Sequence, residues 1–348
     1  MEEIVAAFEK ATLEDVKSSK RIPILRSFDC AGIAHYVKEK SVSRIVVMSG
    51  AGMSVAAGIP DFRTPGTGLY SQLEKYNLPT PESIFTISYF KKNPKPFFTL
   101  AKEMWPGLYS PTLAHNFCAL LEKKGVLLRL YTQNIDGLER VAGMGGESLV
   151  EAHGTFSAAH CVHCRTEYTA EYVREATLSD RIPLCTACSH EHGIVKPDIV
   201  FFGESLPGRF SQCAGSDLPQ ADLLIIIGTS LTVFPFASLA DMVRPDIPRV
   251  LINRERVGGF GEEGQEGPYR DVFLGGDLQE NVMLLAEALG WRGEVADVRA
   301  PLSASSSVGD FKTVFRSRGV DFSECLEKAD MVRLAKAKGL FDEGLSKI

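Results

Sequence analysis

Arg44-Ile45-Val46-Val47-Met48-Ser49-Gly50-Ala51-Gly52-Met53-Ser54-Val55-Ala56-Ala57-Gly58-Ile59-Pro60-Asp61-Phe62-Arg63 decides how this chain folds. The opening residues are short, apolar and β-branched, the composition of a buried strand, and the glycines follow at its carboxyl end. Gly50 and Gly52 allow tight backbone conformations and close approach to a pyrophosphate, and the amides of a helix expected to begin near Ser54 would face the phosphates. The third glycine of the ordinary hydride-transfer fingerprint would fall at position 55, where the chain has Val55; the next glycine is Gly58. A Gly-x-Gly alone also fits a plain strand-to-helix turn. Asp61-Phe62-Arg63 favours a nucleotide cofactor, because a buried acid and a guanidinium so close to a phosphate loop are hard to explain as packing.

Working outward, short apolar segments alternate with helical patterns, the mark of an α/β chain with a parallel sheet covered on both faces. Strands are expected over 45–48, 126–131, 223–227, 250–253 and 272–274. A helix is expected over 111–124, with Leu113, Phe117, Leu120 and Leu121 at core spacing and Gly125 as its stop. Three of these strands run into polar groups: Thr132-Gln133-Asn134-Ile135-Asp136-Gly137, Gly228-Thr229-Ser230 and Asn253-Arg254-Glu255. Ligands of open parallel sheets lie beyond the strands' carboxyl ends, so these clusters and the glycine turn should converge on one crevice. His153 stands where the chain leaves the sheet for the next module, at the kind of junction where clefts form. Its imidazole suits base chemistry at neutral pH.

Cys161-Val162-His163-Cys164 and Cys185-Thr186-Ala187-Cys188 form two Cys-x-x-Cys knuckles separated by twenty residues. That is the spacing of a zinc ribbon, and four thiolates close the tetrahedral site, so the ion should fold a module rather than do chemistry. His160, His163, His190 and His192 are competing ligands by proximity and solvated histidines by default. Cys30, Cys118, Cys213 and Cys325 have no partner spacing and read as apolar filler.

The chain has 348 residues, 45% apolar, with a formal net charge of −6, which excludes a broadly basic surface for nucleic acid. No stretch reaches the roughly 18 to 20 apolar residues of a bilayer span. The amino terminus lacks an apolar signal core, and its first twenty residues hold four glutamates and one aspartate, unlike an Arg-rich presequence. Eight cysteines without a secretory signal suit a reducing compartment. The expectation is a cytoplasmic protein, with the nucleus as the alternative, and no membrane or direct nucleic-acid partner.

Taken together the motifs resemble the sirtuins, lysine deacylases that consume the nicotinamide dinucleotide NAD. The resemblance is carried by Gly50-Ala51-Gly52-Met53-Ser54 with Gly58-Ile59-Pro60-Asp61-Phe62-Arg63, Thr132-Gln133-Asn134-Ile135-Asp136, His153-Gly154, the four knuckle cysteines, Lys196-Pro197-Asp198-Ile199-Val200-Phe201-Phe202-Gly203-Glu204 and Gly228-Thr229-Ser230. It spans residues 30–292, and Gly66-Thr67-Gly68-Leu69-Tyr70 looks like the cofactor loop of the deacetylase-type subgroup.

The resemblance implies a Rossmann-like doubly wound parallel sheet with a small zinc-ribbon module inserted. Its parts would be an extension over 1–28, a catalytic domain over 29–292 (Rossmann-like over 29–155 and 220–292, zinc module over 156–200) and a tail over 293–348. It implies NAD and one structural Zn²⁺, the latter on Cys161, Cys164, Cys185 and Cys188. Cofactor contacts would come from Gly50, Ala51, Gly52, Ser54, Val55, Asp61, Phe62, Arg63 and Tyr70 on the first loop, with Phe62 shielding the reactive ribose. Gln133, Asn134, Ile135 and Asp136 would follow, Asp136 on the nicotinamide carboxamide. Gly228, Thr229 and Ser230 would meet phosphates and ribose, Asn253, Arg254 and Glu255 the adenosine end, and Asp277 and Leu278 the adenine.

His153 and Asn134 would be the catalytic residues, His153 as general base through the ribose hydroxyls. The acetyl-lysine peptide would lie as an added strand against Val200, Phe201, Phe202, Gly203 and Glu204 on one side and Val233 and Phe234 on the other. Acetylated proteins, histones and tubulin among the candidates, would be the substrates of a monomer. Mono-ADP-ribosylation at the same site is the alternative activity. Outside the match, Ile4, Phe8 and Leu13 have helical spacing, and the tail joins the serine-rich run 303–309 to an expected helix with Cys325, Ala329 and Val332 on one face. Such a helix either packs as a satellite or covers the cleft.

Overall fold

The run of β-branched residues from Ile45 pairs on both edges, so in the computed structural model it is the centre of a sheet rather than its border. The structure describes residues 22–62, 64, 66–107, 109–188, 193–260, 269–297 and 327–337. Strands β1 (Ile45–Ser49), β2 (Leu127–Thr132), β3 (Leu149–Glu151), β4 (Gly154–Cys161), β5 (Glu167–Thr169), β6 (Val195–Ile199), β7 (Leu223–Ile227), β8 (Arg249–Asn253) and β9 (Asp271–Gly275) form two sheets. The larger has the order β3-β2-β1-β7-β8-β9, and every pairing in it is parallel. This is the doubly wound order, which reverses between β1 and β7, and beyond the strand ends at that reversal a crevice opens. All five expected strands are present to within one residue at each end; β3, with three residues, is too short to have a pattern.

Alternation along the strands distributes the core. Ile45 and Val47 face one side with Ile225, Ile227, Val250 and Ile252, packed under Phe117, Leu120 and Leu121 of helix Leu113–Lys123 and under Val282 and Leu285 of helix Leu278–Ala288. Val46 and Met48 face the other with Leu224, Ile226 and Leu251, packed under Phe210, Phe236 and Leu239. Each such side chain, fully buried, contributes about 1.5–3 kcal/mol, and two apolar faces explain why these strands read as continuous hydrophobic runs. The expected helix over 111–124 starts later, at Leu113, because Thr112 caps it: the Thr112 amide donates 3.1 Å to Nδ1 of His115.

The inserted module is the antiparallel sheet β5-β4-β6 with helix Ala170–Leu178. A cluster of aromatic rings joins it to the segment around Ile84–Trp105. Phe201 lies edge-on to Phe85, Phe90 and Phe97 at centroid distances of 6.0, 5.3 and 5.0 Å. The rings fix the backbone of the loop after β6.

Two local expectations are corrected. No α-helix begins near Ser54; the chain makes two short 3₁₀ turns, Ala51–Met53 and Val55–Ala57, with Gly58 in the left-handed region at φ +93°. The tail helix is Lys328–Ala337, and its buried face is Met331 and Ala335, with Ala329 exposed and Val332 half-buried. Cys325, the serine-rich run and the proposed amino-terminal helix lie outside the described residues. No helix among the described residues is long and apolar enough to cross a membrane.

Candidate active site

The crevice beyond the switch point encloses about 1160 Å³ and draws its walls from every loop that follows β1, β2, β6, β7, β8 and β9. Gly50, Ala51, Gly52, Val55, Asp61, Phe62 and Tyr70 line it from the first loop, Gln133, Asn134 and Ile135 from the second, and His153 from the junction after β3. Gly228, Thr229, Ser230, Asn253, Arg254, Glu255, Asp277 and Leu278 complete one end; Val200, Phe201, Phe202, Gly203, Glu204, Val233 and Phe234 form the other. Ser54 and Asp136 are not in the wall but behind it. Arg63 lies outside the described residues. Asp61, half-buried rather than buried, accepts 2.7 Å from the Thr64 amide and so shapes its own turn.

The glycines act differently from the sequence expectation. Gly50 is extended at φ −143°, a conformation open to any residue. What excludes a side chain is the protein itself: a Cβ at Gly50 would stand 2.7 Å from Cβ of Thr229, and one at Gly52 would stand 2.8 Å from Cα of Gly228. The glycine turn thus rests directly on the end of β7, which keeps the crevice floor thin and smooth.

His153 follows β3, and its Nδ1 is 3.1 Å from the carbonyl oxygen of Gln133. A carbonyl only accepts, so the proton sits on Nδ1 and the Nε2 lone pair is left for the crevice. Burial pushes the His153 pKa below its usual 6.5, the Gln133 bond opposing weakly, so the ring is neutral at neutral pH. Asn134, buried, donates from Nδ2 to the Gly50 carbonyl at 3.1 Å and to the Ser54 hydroxyl at 3.3 Å. Ser54 in turn donates 2.6 Å to Asp136, whose other oxygen accepts 2.9 Å from the Leu138 amide. Gln133 Nε2 donates 2.7 Å to the Thr229 hydroxyl and ties the β2 loop to the β7 loop. Asp277 caps helix Leu278–Ala288 by accepting 2.9 Å from the Glu280 amide, so its carboxylate serves the helix.

At the other end Phe202 and Phe234 are 46% and 73% exposed and flank the mouth. The loop after β6 that carries Phe202 is held by buried Lys196, whose Nζ donates to the carbonyls of Ile199 at 2.5 Å and Pro197 at 3.1 Å and pairs with Glu204 at 3.1 Å. Glu204 also accepts 2.9 Å from the Phe201 amide. A lysine in an otherwise ordinary strand gave no sequence signal of this role. Phe85 and Gln279, also in the wall, were missed for the same reason: nothing local distinguishes a wall residue from packing.

Cys161, Cys164, Cys185 and Cys188 bring their sulfurs within 4.8 Å of one another, with Cys161–Cys188 at 3.8 Å and Cys164–Cys185 at 3.6 Å. Tetrahedral zinc with bonds of about 2.3 Å needs sulfur–sulfur edges near 3.8 Å, so the set fits that ion and leaves no open position. The Tyr168 hydroxyl donates 3.1 Å to Cys185 and lowers that thiol to about 6. None of the four cysteines lines the crevice. His160 faces Asp198 at 2.7 Å instead of the sulfurs, and His190 and His192 lie outside the described residues.

The crevice also fits a dinucleotide: it lies beyond the switch point, is lined by Gly50, Gly52 and Gly228 and carries hydroxyl and amide side chains. A model of the Sir2 family matches residues 50–235. The chain belongs to the Sir2 family. This Sir2-family chain is 49% identical over 289 residues to the NAD-dependent protein deacetylase sirtuin-2 of Danio rerio, covering 79% of this chain and 76% of that protein. It is 50% identical over 273 residues to the NAD-dependent protein deacetylase sirtuin-3 of Mus musculus, covering 78% and 80%. With the NAD-dependent deacetylase sir2A of Dictyostelium discoideum it shares 52% identity over 295 residues, 84% of this chain and 57% of that protein.

Proposed function

We infer that this chain is an NAD-dependent protein lysine deacetylase, moving the acetyl group of acetyl-lysine to ADP-ribose with release of nicotinamide and 2′-O-acetyl-ADP-ribose. Bound NAD supplies an electrophilic ribose carbon and the hydroxyl that takes the acetyl group. The chain supplies the rest. His153, neutral and with Nε2 free toward the crevice, removes a proton from a ribose hydroxyl. Asn134 is held by Gly50 and Ser54 so that its amide keeps one orientation at the nicotinamide end. Phe62, packed edge-on to Tyr70 at 5.8 Å and Phe85 at 6.0 Å, screens the reacting ribose from water. The walls from Gly228 to Ser230 and Asn253 to Glu255 take the phosphates and adenosine end, with Leu278 against the adenine.

The peptide enters between Phe202 and Phe234 and pairs its backbone with the Gly203-Glu204 and Val233 segments. Its acetyl-lysine reaches His153 through the apolar channel of Ile199, Phe201 and Phe85. The substrates are acetylated proteins, and the four closed cysteines suit a reducing compartment, the cytoplasm before the nucleus. The observation that carries the reading is the His153–Gln133 bond, which leaves an unprotonated imidazole nitrogen on a crevice lined by both the glycine loops and the Phe202 and Phe234 segments. Incubation with NAD and a panel of acyl-lysine peptides, with products weighed by mass spectrometry, tests it. Acetyl-ADP-ribose and free lysine peptide are expected; an ADP-ribosylated protein in their place overturns the reading.

A further inference from the structure

Behind the nicotinamide end of the crevice lies a buried polar cluster that the sequence did not announce. A ring nitrogen of His115, a carboxylate oxygen of Asp136 and one of Glu139 all lie within 4.8 Å of one another. Glu139 is 1% exposed and its Oε1 has no hydrogen-bond partner among the described residues; the same holds for Nε2 of fully buried His115. Such a triad invites a metal ion, but the imidazole opposes it. The Thr112 amide donates to Nδ1, so the neutral ring carries its proton on Nε2 and has no free lone pair to offer. The cluster is a place to keep a proton.

The hydrogen bonds say which carboxyl keeps it. Burial raises the Asp136 carboxyl as well, but both its oxygens accept, one from Ser54 and one from the Leu138 amide, whereas Oε1 of Glu139 has no such donor; of the two, Glu139 keeps the proton and Asp136 is the anion. Glu139 reaches Asn134 along two routes. The Thr132 hydroxyl bonds the Glu139 carboxyl and accepts 3.0 Å from the Asn134 backbone amide. Across the cluster, Asp136 orients the Ser54 hydroxyl, which accepts from the Asn134 side chain. We propose that Glu139 is a positioning residue for deacetylation, a protonated buried carboxyl that leaves Asp136 as the single charge behind the crevice and so holds Asn134 by both its backbone and its side chain. The inference rests on the deacetylase reading above.

The surroundings agree. Facing Glu139 are His115 and Cys118 from helix Leu113–Lys123, Asp136 from the loop, Arg140 beside it and Glu151 from β3. Burial keeps His115 neutral down to about 3 and pushes the Cys118 thiol up. Arg140 is taken by Glu151 at 2.6 Å. Burial first, then the neighbouring Asp136, pushes Glu139 up to about 8 from its ordinary 4.5. A raised carboxyl binds its proton more tightly folded than unfolded. The stability it contributes is therefore full below about 4.5 and is lost as pH rises to about 8.

Two readouts on Glu139→Gln and Glu139→Ala test this. In the ligand-free protein, the unfolding constant of wild type relative to E139Q should rise about tenfold per pH unit between about pH 5 and 7.5, the signature of one proton. With an acetyl-lysine peptide, E139Q should keep kcat within about threefold of wild type at neutral pH and lack the wild type's fall above about pH 8. E139A should lose about tenfold or more in kcat with little change in peptide KM. Parallel unfolding curves for wild type and E139Q, or an E139Q as slow as E139A, overturn the proposal. A wild-type protein that deacetylates nothing refutes instead the activity on which the inference rests, and the unfolding comparison still reports whether Glu139 is protonated.

Discussion

The Gly52 amide donates 2.8 Å to the carbonyl of Gly228, joining the loop after β1 to the end of β7 where the sheet reverses its order. Gly228 is left-handed at φ +62°, and a Cβ there would stand 2.5 Å from the Met53 nitrogen. Two loops far apart in sequence are pressed together so closely that only hydrogens fit between them.

Gly228→Ala should therefore strain the backbone and part the loops, costing on the order of 1–3 kcal/mol of stability and weakening NAD binding. Denaturant unfolding and calorimetric titration with NAD measure the two effects. An alanine variant with unaltered stability and affinity contradicts the close contact.

His153→Ala removes the base while the crevice walls stay, so turnover should fall by on the order of 10²-fold or more with little change in NAD and peptide binding. Near-normal turnover in a folded variant sinks the assignment.

The pH profile offers a second test of His153. Burial lowers its pKa, and a base must be unprotonated to act, so the acid limb of kcat/KM should lie below the ordinary 6.5. A limb above that value would mean that a different group titrates.

Cys161→Ser or Cys188→Ser should lower zinc content, melting temperature and activity together, because for a module this small the free energy of metal binding is free energy of folding. Metal analysis beside thermal unfolding checks it. A metal-free variant that stays folded and active would falsify the structural role.

Tyr131, fully buried, donates 2.7 Å to Asp217, which also binds Arg129 at 2.8 Å. Burial alone would raise the Asp217 carboxyl, but the bonds from Arg129 and Tyr131 outweigh it and hold it below 3.8. Its contribution is present above the unfolded value and is lost as pH falls through the folded one. Tyr131→Phe should cost about 1–3 kcal/mol near neutral pH and less in acid. Equal losses at both pH values would contradict the coupling.

Much of this was legible because it is written locally. Five of the six parallel strands announced themselves through runs such as Leu223-Leu224-Ile225-Ile226-Ile227, where burial on both faces demands an unbroken apolar segment. The cysteine knuckles were legible because zinc fixes both residue type and spacing. The 3₁₀ turns after Gly50 were not, since a helix and a tight turn begin with the same residues. Glu139 and Lys196 stayed hidden, because a charged residue looks solvated until the fold buries it.

Hydrophobic periodicity and ligand spacing act over a few residues, and for that reason the parallel sheet, the zinc module and the polar clusters at the strand ends could be read from the residues alone. The contact of Gly52 with Gly228, the proton of His153 on Nδ1 and the meeting of Asp136 and Glu139 behind the crevice came from the folded chain and not from any local pattern. Those depend on which side chains are brought within hydrogen-bond reach and out of water. Segments from distant parts of the chain meet that way only once the strands of the sheet have paired.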